Sequence, residues 1–382
     1  MIIFLISSVA LFFILAYFIV VRWFLYHWRQ TPVWNVPAGF QASTRVSILI
    51  PARNEALHIR ACIDSILQQA YPSQLLEIIV IDDHSEDGTS LLVQTYEDPR
   101  VRLFKLADHL DYKTSAYKKA AIQLGVSVAT GELLITTDAD CIAPPRWLLH
   151  LSSFYEEKQP KCIAGPVAFY QEKNGLERFQ SLDFLGMMII TAAGIRSSRM
   201  YMGNGAHLAY PRAVFEAVDG FEGVQNWASG DDLFLIHKIA ARYPDGIRFL
   251  KQAEATILTR AKPDLSSFIQ QRIRWGTKNS SYSGWAVTLI AGTVFLACWS
   301  ILAVAFAIPW GGWFGLLFFL FLLGLKTWVD YQLLAEAMTF FHRKDLRPYF
   351  GQAQLGHILY IALVGLASLV VKRYEWKGRR VR

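Results

Sequence analysis

Asp138 and Asp140 stand two residues apart in Thr137-Asp138-Ala139-Asp140, directly after an apolar run. On extended backbone, residues i and i+2 point to one side, so both carboxylates can reach one cation. Hard oxygen donors suit Mg2+ or Mn2+, with water and phosphate oxygens completing the shell. Turns also produce Asp-x-Asp; the position after a buried strand is what gives this copy chemical weight. Asp82 and Asp83 end another apolar run. A carboxylate there can accept from a base imide or a ribose hydroxyl, or form an Asx-type turn with Asp87 and Thr89 capping the next helix. Lys118 and Lys119 can face phosphates or simply solvate their helix. In Gly230-Asp231-Asp232, ahead of Leu233-Phe234-Leu235-Ile236, a carboxylate can act as general base on an acceptor hydroxyl or cap the helix. Gln271, Arg274 and Trp275, at i, i+3 and i+4, share a helix face. That face can clamp a diphosphate and stack a sugar ring, or anchor the chain at a membrane interface.

The surrounding pattern supplies the elements that must hold these residues. Val46 to Ile50 is a β-branched run ending at Pro51, and Ile78 to Ile81, Val101 to Phe104 and Leu133 to Thr136 read as further strands. Asn54 is placed to cap a helix carrying Ile59, Cys62, Ile63, Ile66 and Leu67; Thr89 starts another, and Ser115 to Ala129 a third. Strands alternating with helices predict an α/β fold with a mostly parallel sheet covered on both faces. Ligands bind such sheets beyond the carboxyl ends of the strands, where the acidic clusters stand.

Of 382 residues, 53% are hydrophobic and 18% charged, against about 25% charge in ordinary soluble domains. That composition excludes a disordered chain. Cys62, Cys141, Cys162 and Cys298 are far apart with no CxxC pair, which excludes a disulfide scaffold and argues against structural zinc. Ile2 to Val21 carries no charge and makes a helix of about 30 Å, enough to cross a bilayer. Arg22, His27 and Arg29 after it place that end in the cytoplasm, and Trp23, Tyr26 and Trp28 suit an interfacial belt. Apolar runs return at Trp285 to Pro309 and Trp313 to Leu334, parted by Trp310-Gly311-Gly312. Ile358 to Val371 is short enough to be either a span or a re-entrant helix. Lys326 and Asp330, at i and i+4, read as an interfacial ion pair near a helix end. The net charge of +7 is concentrated in the tail from Lys372 to Arg382, which favours an anionic lipid surface over nucleic acid. The expected organisation is an anchor at 1–22, a catalytic domain at 45–280, a membrane region at 285–371 and a basic tail at 372–382.

Five motifs then stand in a telling order: Val46 to Ala56, Asp82-Asp83-His84-Ser85, Thr137 to Asp140, Gly230-Asp231-Asp232 and Gln271-Arg272-Ile273-Arg274-Trp275. Together they resemble the family 2 glycosyltransferases, and within them the membrane-embedded branch of cellulose, chitin, hyaluronan and poly-N-acetylglucosamine synthases. The resemblance covers about Val46 to Trp275. It implies a GT-A fold, Rossmann-like with a mostly parallel sheet, in a cytosolic domain flanked by transmembrane helices of a multi-pass inner or plasma membrane protein. It implies inverting transfer from a nucleoside-diphosphate sugar, a UDP-sugar foremost, to a growing polysaccharide or other envelope glycan.

Carried over, Ala52, Arg53 and Glu55 line the nucleotide, Asp82 or Asp83 meets the base, and Lys118 is the donor-side lysine. Asp138 and Asp140 hold the metal, and Asn204, in Gly203-Asn204-Gly205-Ala206, lines the sugar pocket. Asp232 matches the general base, with Asp231 as the alternative because Asp-Asp replaces the usual Glu-Asp. Gln271, Arg274 and Trp275 form the donor and acceptor clamp. Tyr117 stands where a Gly often precedes the lysine, and the chain is short for a polymer synthase. A non-processive enzyme with a lipid acceptor, similar to ceramide glucosyltransferases, is the runner-up. A scaffold in a synthase complex with partner subunits, or a transporter, is remote. No arrangement of a catalytic Ser or Cys is evident, which fits a single inverting displacement that needs no protein nucleophile, and no nucleic acid is expected as partner.

Overall fold

The computed structural model describes residues 2–110, 114, 116–225, 227, 230–276, 285–370, 374–376 and 379–381. Lys372, Arg373, Lys377 and Arg382 of the basic tail lie outside the described residues, as does the C-terminal limit of the 45–280 segment. The chain forms two compact units. One comprises residues 31–171, 194–260 and 375–382; the other comprises residues 1–30, 172–193 and 261–374.

The first unit is built on seven strands: β1 (Val46–Ala52), β2 (Leu76–Asp82), β3 (Val101–Lys105), β4 (Leu133–Thr136), β5 (Cys162–Ala164), β7 (Leu208–Pro211) and β8 (Ile247–Phe249). Their order is β3-β2-β1-β4-β7-β5-β8. All neighbours pair in parallel except β7, which runs antiparallel to β4 and β5. A short parallel pair, β6 (Val167–Phe169) with β9 (Ile257–Thr259), forms a separate two-stranded ribbon. Helices α2 (Ile59–Leu67), α3 (Thr89–Gln94), α4 (Tyr117–Val128), α5 (Trp147–Lys158), α7 (Arg212–Ala217) and α8 (Asp231–Arg242) connect the strands. Every residue of β2 is buried, the signature of a parallel strand covered on both faces.

One of those buried residues is Glu77. It accepts hydrogen bonds from Ser47 Oγ (2.5 Å), Thr130 N (2.5 Å) and Gly131 N (3.2 Å), and pairs with Arg102 (3.0 Å). Burial would raise its carboxyl, but the bonds from Ser47, Thr130 and Arg102 outweigh that and hold it below the usual range. The carboxylate therefore ties β1, β2, β3 and the turn into β4 together at the sheet's amino end.

The helix expected to be capped by Asn54 starts instead at Ile59, without a side-chain cap. Asn54 adopts φ 52° and its Oδ1 accepts from Glu86 N (2.9 Å), so this loop bonds across to the loop after β2 in preference to extending the helix. The next helix has Gly88 as its N-cap, and Asp87, one residue before it, accepts from the first helical N–H, Thr89 N (3.1 Å).

The second unit consists of α1 (Ile2–Gln30), most of α6 (Gly175–Arg196), α9 (Leu265–Gly276), α10 (Trp285–Phe340) and α11 (Phe350–Val370). Three of its helices, covering Phe4–Gln30, Ala286–Phe340 and Lys344–Ser368, are long and apolar enough to cross a membrane. α10 breaks at Gly312 (φ 56°), and Ile290 and Val294 come to line one cavity with Asp330 and Leu333, so the chain doubles back there. Trp28 is not an exposed belt residue: it is buried against Phe340. Lys326 and Asp330 do pair (2.6 Å), but not at an interface-exposed end. Both are buried, because Tyr17 of α1 and Gln354 of α11 donate to the same carboxylate.

Where β7 begins, a histidine replaces apolar packing. Trp147 Nε1 donates to His207 Nε2 (2.9 Å) and His207 Nδ1 donates to the Pro166 carbonyl (2.9 Å), which fixes the neutral tautomer. Gly165 is required beneath it, since a Cβ there would lie 2.1 Å from the ring. Burial pushes the imidazole down to about 4 from its ordinary 6.5. Below pH 6.5 the unfolded chain takes up a proton that the folded chain refuses until about pH 4, so this histidine costs nothing above that window and destabilises as pH falls through it. The span corresponds to about 3 kcal/mol. The thermal midpoint in detergent is expected to fall between pH 6.5 and 4, with a shallower slope in His207→Gln; equal slopes would show that the ring does not carry the effect.

Candidate active site

In the sheet order, β1 has β2 on one side and β4 on the other, which is the switch point where a crevice opens beyond the strands' carboxyl ends. Register puts Ala52 opposite Asp82, and Asp138 follows the end of β4. The three expected acidic and nucleotide-lining clusters thus leave the sheet at one edge of the crevice.

The β1 and β2 side is rigid. Asp83 N bonds to the Ala52 carbonyl (2.7 Å), and Arg53 Nη1 donates to the Asp83 carbonyl (2.9 Å). Asp83 Oδ1 lies 2.9 Å from His84 Nδ1, and Glu55 N donates to Thr89 Oγ1 (2.8 Å). Asn54 and His84 both take left-handed backbone, at φ 52° and 54°, a conformation that costs energy in residues with a side chain. Asp82 and Asp83 are both buried. Among the described residues, Asp82 Oδ1 and Thr137 Oγ1 are buried polar atoms without a hydrogen-bond partner, which is what a pocket for a hydrogen-bonding guest leaves behind.

The opposite side gathers charge. Lys118 Nζ lies 2.7 Å from Asp138 Oδ1 and 3.3 Å from Asp231 Oδ2. Burial alone would lower its pKa, but Asp138, Asp231 and Asp232 outweigh burial and hold the ammonium above the ordinary lysine range. Asp231 and Asp232 form the first turn of α8, where helix N–H groups favour negative charge. Asp231 is buried and Asp232 half-open. Asp232 accepts from Leu233 N (2.8 Å) and Gly205 N (3.2 Å). Asn204 Oδ1 accepts from Ala206 N (3.0 Å) and turns the chain so that Gly205 faces the cluster. A Cβ at Gly205 would sit 3.1 Å from Asp231 Oδ2 and 3.2 Å from Lys118 Nζ, so this position leaves little room for a side chain.

Asp138, Asp140 and Cys141 offer ligand atoms within 4.8 Å of one another. Burial, with Asp140 and Asp138 beside it, pushes the Cys141 thiol up, which keeps it protonated. The donor set is therefore two hard carboxylates, which fits Mg2+ or Mn2+ better than a thiophilic ion.

The structure brings Lys118, Asp138, Asp231, Asp232 and Gly205 together. Gln271, Arg274 and Trp275 belong to α9 of the helical unit, where Trp275 packs on Phe184 (ring centroids 6.1 Å apart) and Gln271 Oε1 is buried without a hydrogen bond among the described residues. Three residues inside or beside the motifs take roles that the motif reading did not assign to them. Gly205 lacks any side-chain signal. Lys119 is buried, donates to the Trp227 carbonyl and lies over the Phe234 ring, tying α4 to the approach to α8. Arg272, one residue from Gln271, is buried against Asp183 (2.8 Å). A charged residue beside a motif position is the signal that marks the last two, and it does not say which way they point.

Comparison with known proteins places this geometry. Residues 47–218 match glycosyl transferase family 2 and residues 133–331 match glycosyl transferase family group 2. A glycosyltransferase AglE from Haloferax volcanii is 29% identical over 144 residues, 37% of this chain and 46% of that protein. An undecaprenyl-phosphate 4-deoxy-4-formamido-L-arabinose transferase from Yersinia pestis is 33% identical over 182 residues, 46% of this chain and 51% of that protein. The chain thus spans about half the length of these curated relatives. A mannosyltransferase from Pyrobaculum calidifontis, solved with GDP-Man and Mn2+, shares the fold at a TM-score of 0.63 and 19% identity, covering 96% of this chain and 99% of that one.

The geometry makes Lys118 the counter-charge for two carboxylates at once. Lys118→Met removes the ammonium that stands between Asp138 and Asp231, a loss of about 1.5–3 kcal/mol for a charge-assisted hydrogen bond at a partly open site. The thermal midpoint should drop at pH 7 and recover in part with millimolar Mn2+ or at pH 5; an unchanged midpoint under all three conditions would remove Lys118 from this role.

Proposed function

The chain belongs to glycosyl transferase family 2, and on that premise we propose that it transfers a sugar, with inversion, from a nucleoside-diphosphate sugar to a growing polysaccharide or other envelope glycan. The observation that carries the reading is the single cluster in which Lys118 joins the Asp138 side to the Asp231–Asp232 turn. It sets groups suited to a leaving diphosphate next to groups suited to an incoming hydroxyl.

In this reading Ala52, Arg53, Glu55, Asp82 and Asp83 hold the nucleotide, and the buried, unpartnered Asp82 Oδ1 accepts from its base or ribose. Asp138 and Asp140 hold Mg2+ or Mn2+, which when bound neutralises charge developing on the diphosphate. Lys118 adds a second positive charge on the donor side, and Asn204 with Gly205 borders the sugar. Asp232, the more open of the two acids, takes the proton of the acceptor hydroxyl as that oxygen bonds to the anomeric carbon. The bond from that carbon to the diphosphate oxygen breaks in the same displacement, and its electron pair leaves with the nucleoside diphosphate. Asp231, paired to Lys118, keeps the ammonium in place. Gln271, Arg274 and Trp275 are assigned as the donor and acceptor clamp.

The three long apolar helices support a multi-pass protein of the inner or plasma membrane, and the basic Arg22, His27 and Arg29 favour a cytoplasmic catalytic unit. UDP-sugars are the first donors to test. Partner subunits of a synthase complex belong to the polysaccharide reading. A second reading, a lipid acceptor taking a single sugar, is favoured by the likeness to the Yersinia transferase, whose name carries undecaprenyl phosphate.

Nucleotide release from a panel of UDP-, GDP- and dTDP-sugars in isolated membranes tests both readings. One donor is expected to turn over, EDTA to abolish release and Mg2+ or Mn2+ to restore it. Asp232→Asn should reduce kcat by about 10²–10⁴-fold with the fold intact. Equal loss in Asp231→Asn with full activity in Asp232→Asn would exchange their roles. Absence of nucleotide binding in folded protein would sink the assignment altogether. Product length then separates polymer from glycolipid.

A further inference from the structure

The helical unit carries a half-open cavity of about 230 Å³ among α1, α6, α10 and α11, and every described residue lining it belongs to that unit. An apolar cavity of about 150 Å³ already takes a benzene-sized guest. Val20, Phe24, Leu182, Ile290, Val294 and Ile361 are among its apolar walls. One part of the lining is different. Asp330, Gln354, His357 and Tyr17 face the same space.

This polar part is organised around a buried charge pair. Lys326, 0% exposed, lies 2.6 Å from Asp330 Oδ2, and Gln354 Nε2 donates to the same oxygen at 2.7 Å. Tyr17 donates to Asp330 Oδ1 at 2.5 Å, and Lys326 Nζ lies 3.4 Å from His357 Nδ1. The wall's second carboxylate, Asp183, pairs with Arg272 at 2.8 Å. Both wall carboxylates therefore already hold a cation, and a cationic head group is not what this wall selects. Ionisable groups among apolar spanning helices are expensive, and where they persist they usually serve a ligand or a pathway.

The cavity also has a defined level along the helices. Its α1 residues, Tyr17 to Phe24, bracket Arg22, and its α10 residues, Asp330 to Leu334, bracket Gln332. Arg22 Nη1 donates to Gln332 Oε1 at 2.6 Å on the exposed surface. Polar and cationic groups of this kind mark the end of the hydrocarbon zone. A guest at this level has carbon on one side and hydrogen-bonding groups on the other.

We propose that this cavity binds one amphipathic lipid, an isoprenoid or acyl chain ending in a hydroxyl or phosphate-ester oxygen, with the head toward Gln354 and His357. The inference rests on the membrane placement proposed above and holds for either acceptor. A polyprenyl phosphate and a bilayer phospholipid share this chemistry, so the test separates them.

Full-length protein in phosphatidylcholine nanodiscs is irradiated with either a diazirine-bearing polyprenyl phosphate or a diazirine-bearing phosphatidic acid, and labelled peptides are mapped by mass spectrometry. Saturable labelling is expected around Ile290 and Val294 and between Ala353 and Ile361, at least tenfold above that at the outward-facing Phe306 and Leu317. Val294→Trp fills the space and should cut that labelling at least tenfold, while labelling at Phe306 and Leu317 and donor-nucleotide binding stay unchanged. Should that variant not fold, Ile290→Phe, a smaller filler, carries the same expectation. Labelling by the polyprenyl probe alone names an acceptor-type lipid, and labelling by phosphatidic acid names a bilayer lipid. Labelling spread evenly over lining and outward residues, and untouched by the filler, would overturn the site while leaving the transferase reading to its own assay. A chain stripped from membranes by carbonate would overturn the membrane placement and this site with it.

Discussion

The arrangement depends on one problem in electrostatics: three carboxylates, Asp138, Asp231 and Asp232, gather around a single ammonium at the carboxyl end of a sheet. Like charges that close repel strongly wherever water is partly excluded. Lys118 resolves the conflict by standing between the β4 side and the α8 side, and it is 20% exposed, so it remains within reach of a ligand. A divalent cation and a diphosphate would change the charge balance together, the ion adding positive charge that the phosphates cancel. With one ammonium against three carboxylates the cluster stays net negative, which suits it to a divalent cation that brings the diphosphate with it.

Holding that balance requires the surrounding backbone to be rigid. The left-handed Asn54 and His84 place backbone where relaxed chain would not go, and the Asn204 turn seats Gly205 close against the cluster. They can do so because the opposite end of the sheet is tied by Glu77 across three strands, and because His207 pins the start of β7 between Trp147 and Pro166. Strain tolerated at the crevice is offset by dense hydrogen bonding in the scaffold beneath it.

Much of this was legible in the residues alone, and the limits have physical causes. β1, β2 and β4 show as near-continuous apolar runs because parallel strands are covered on both faces, whereas Asp138 and Asp140 show by their spacing alone: β4 ends at Thr136, and a turn closed by Cys141 N on the Asp138 carbonyl (3.1 Å), not strand alternation, holds the pair. The antiparallel β7 did not show: its Leu-Ala-Tyr-Pro is too short for a periodic signal, and its direction is set by partners on either side. Asn54 misled because a good cap residue can spend its side chain on a neighbouring loop. Lys118 and Lys119 look alike in sequence, yet successive residues on a helix point about 100° apart, so one meets the carboxylates while the other is buried under Phe234.

The same limit explains Lys326 and Asp330. Four residues apart near the end of an apolar run, they have the spacing of an ordinary exposed pair. What converts them into a buried pair is Tyr17, 313 residues away along the chain, and Gln354 on a third helix. An aliphatic pair of similar volume would pack there with less desolvation cost. Stability alone therefore gives no reason for charge at that position. Hydrogen-bonding capacity that three separate helices converge to hold, next to empty apolar space, is better explained by a guest with both an apolar chain and a polar end than by the packing of the helices themselves.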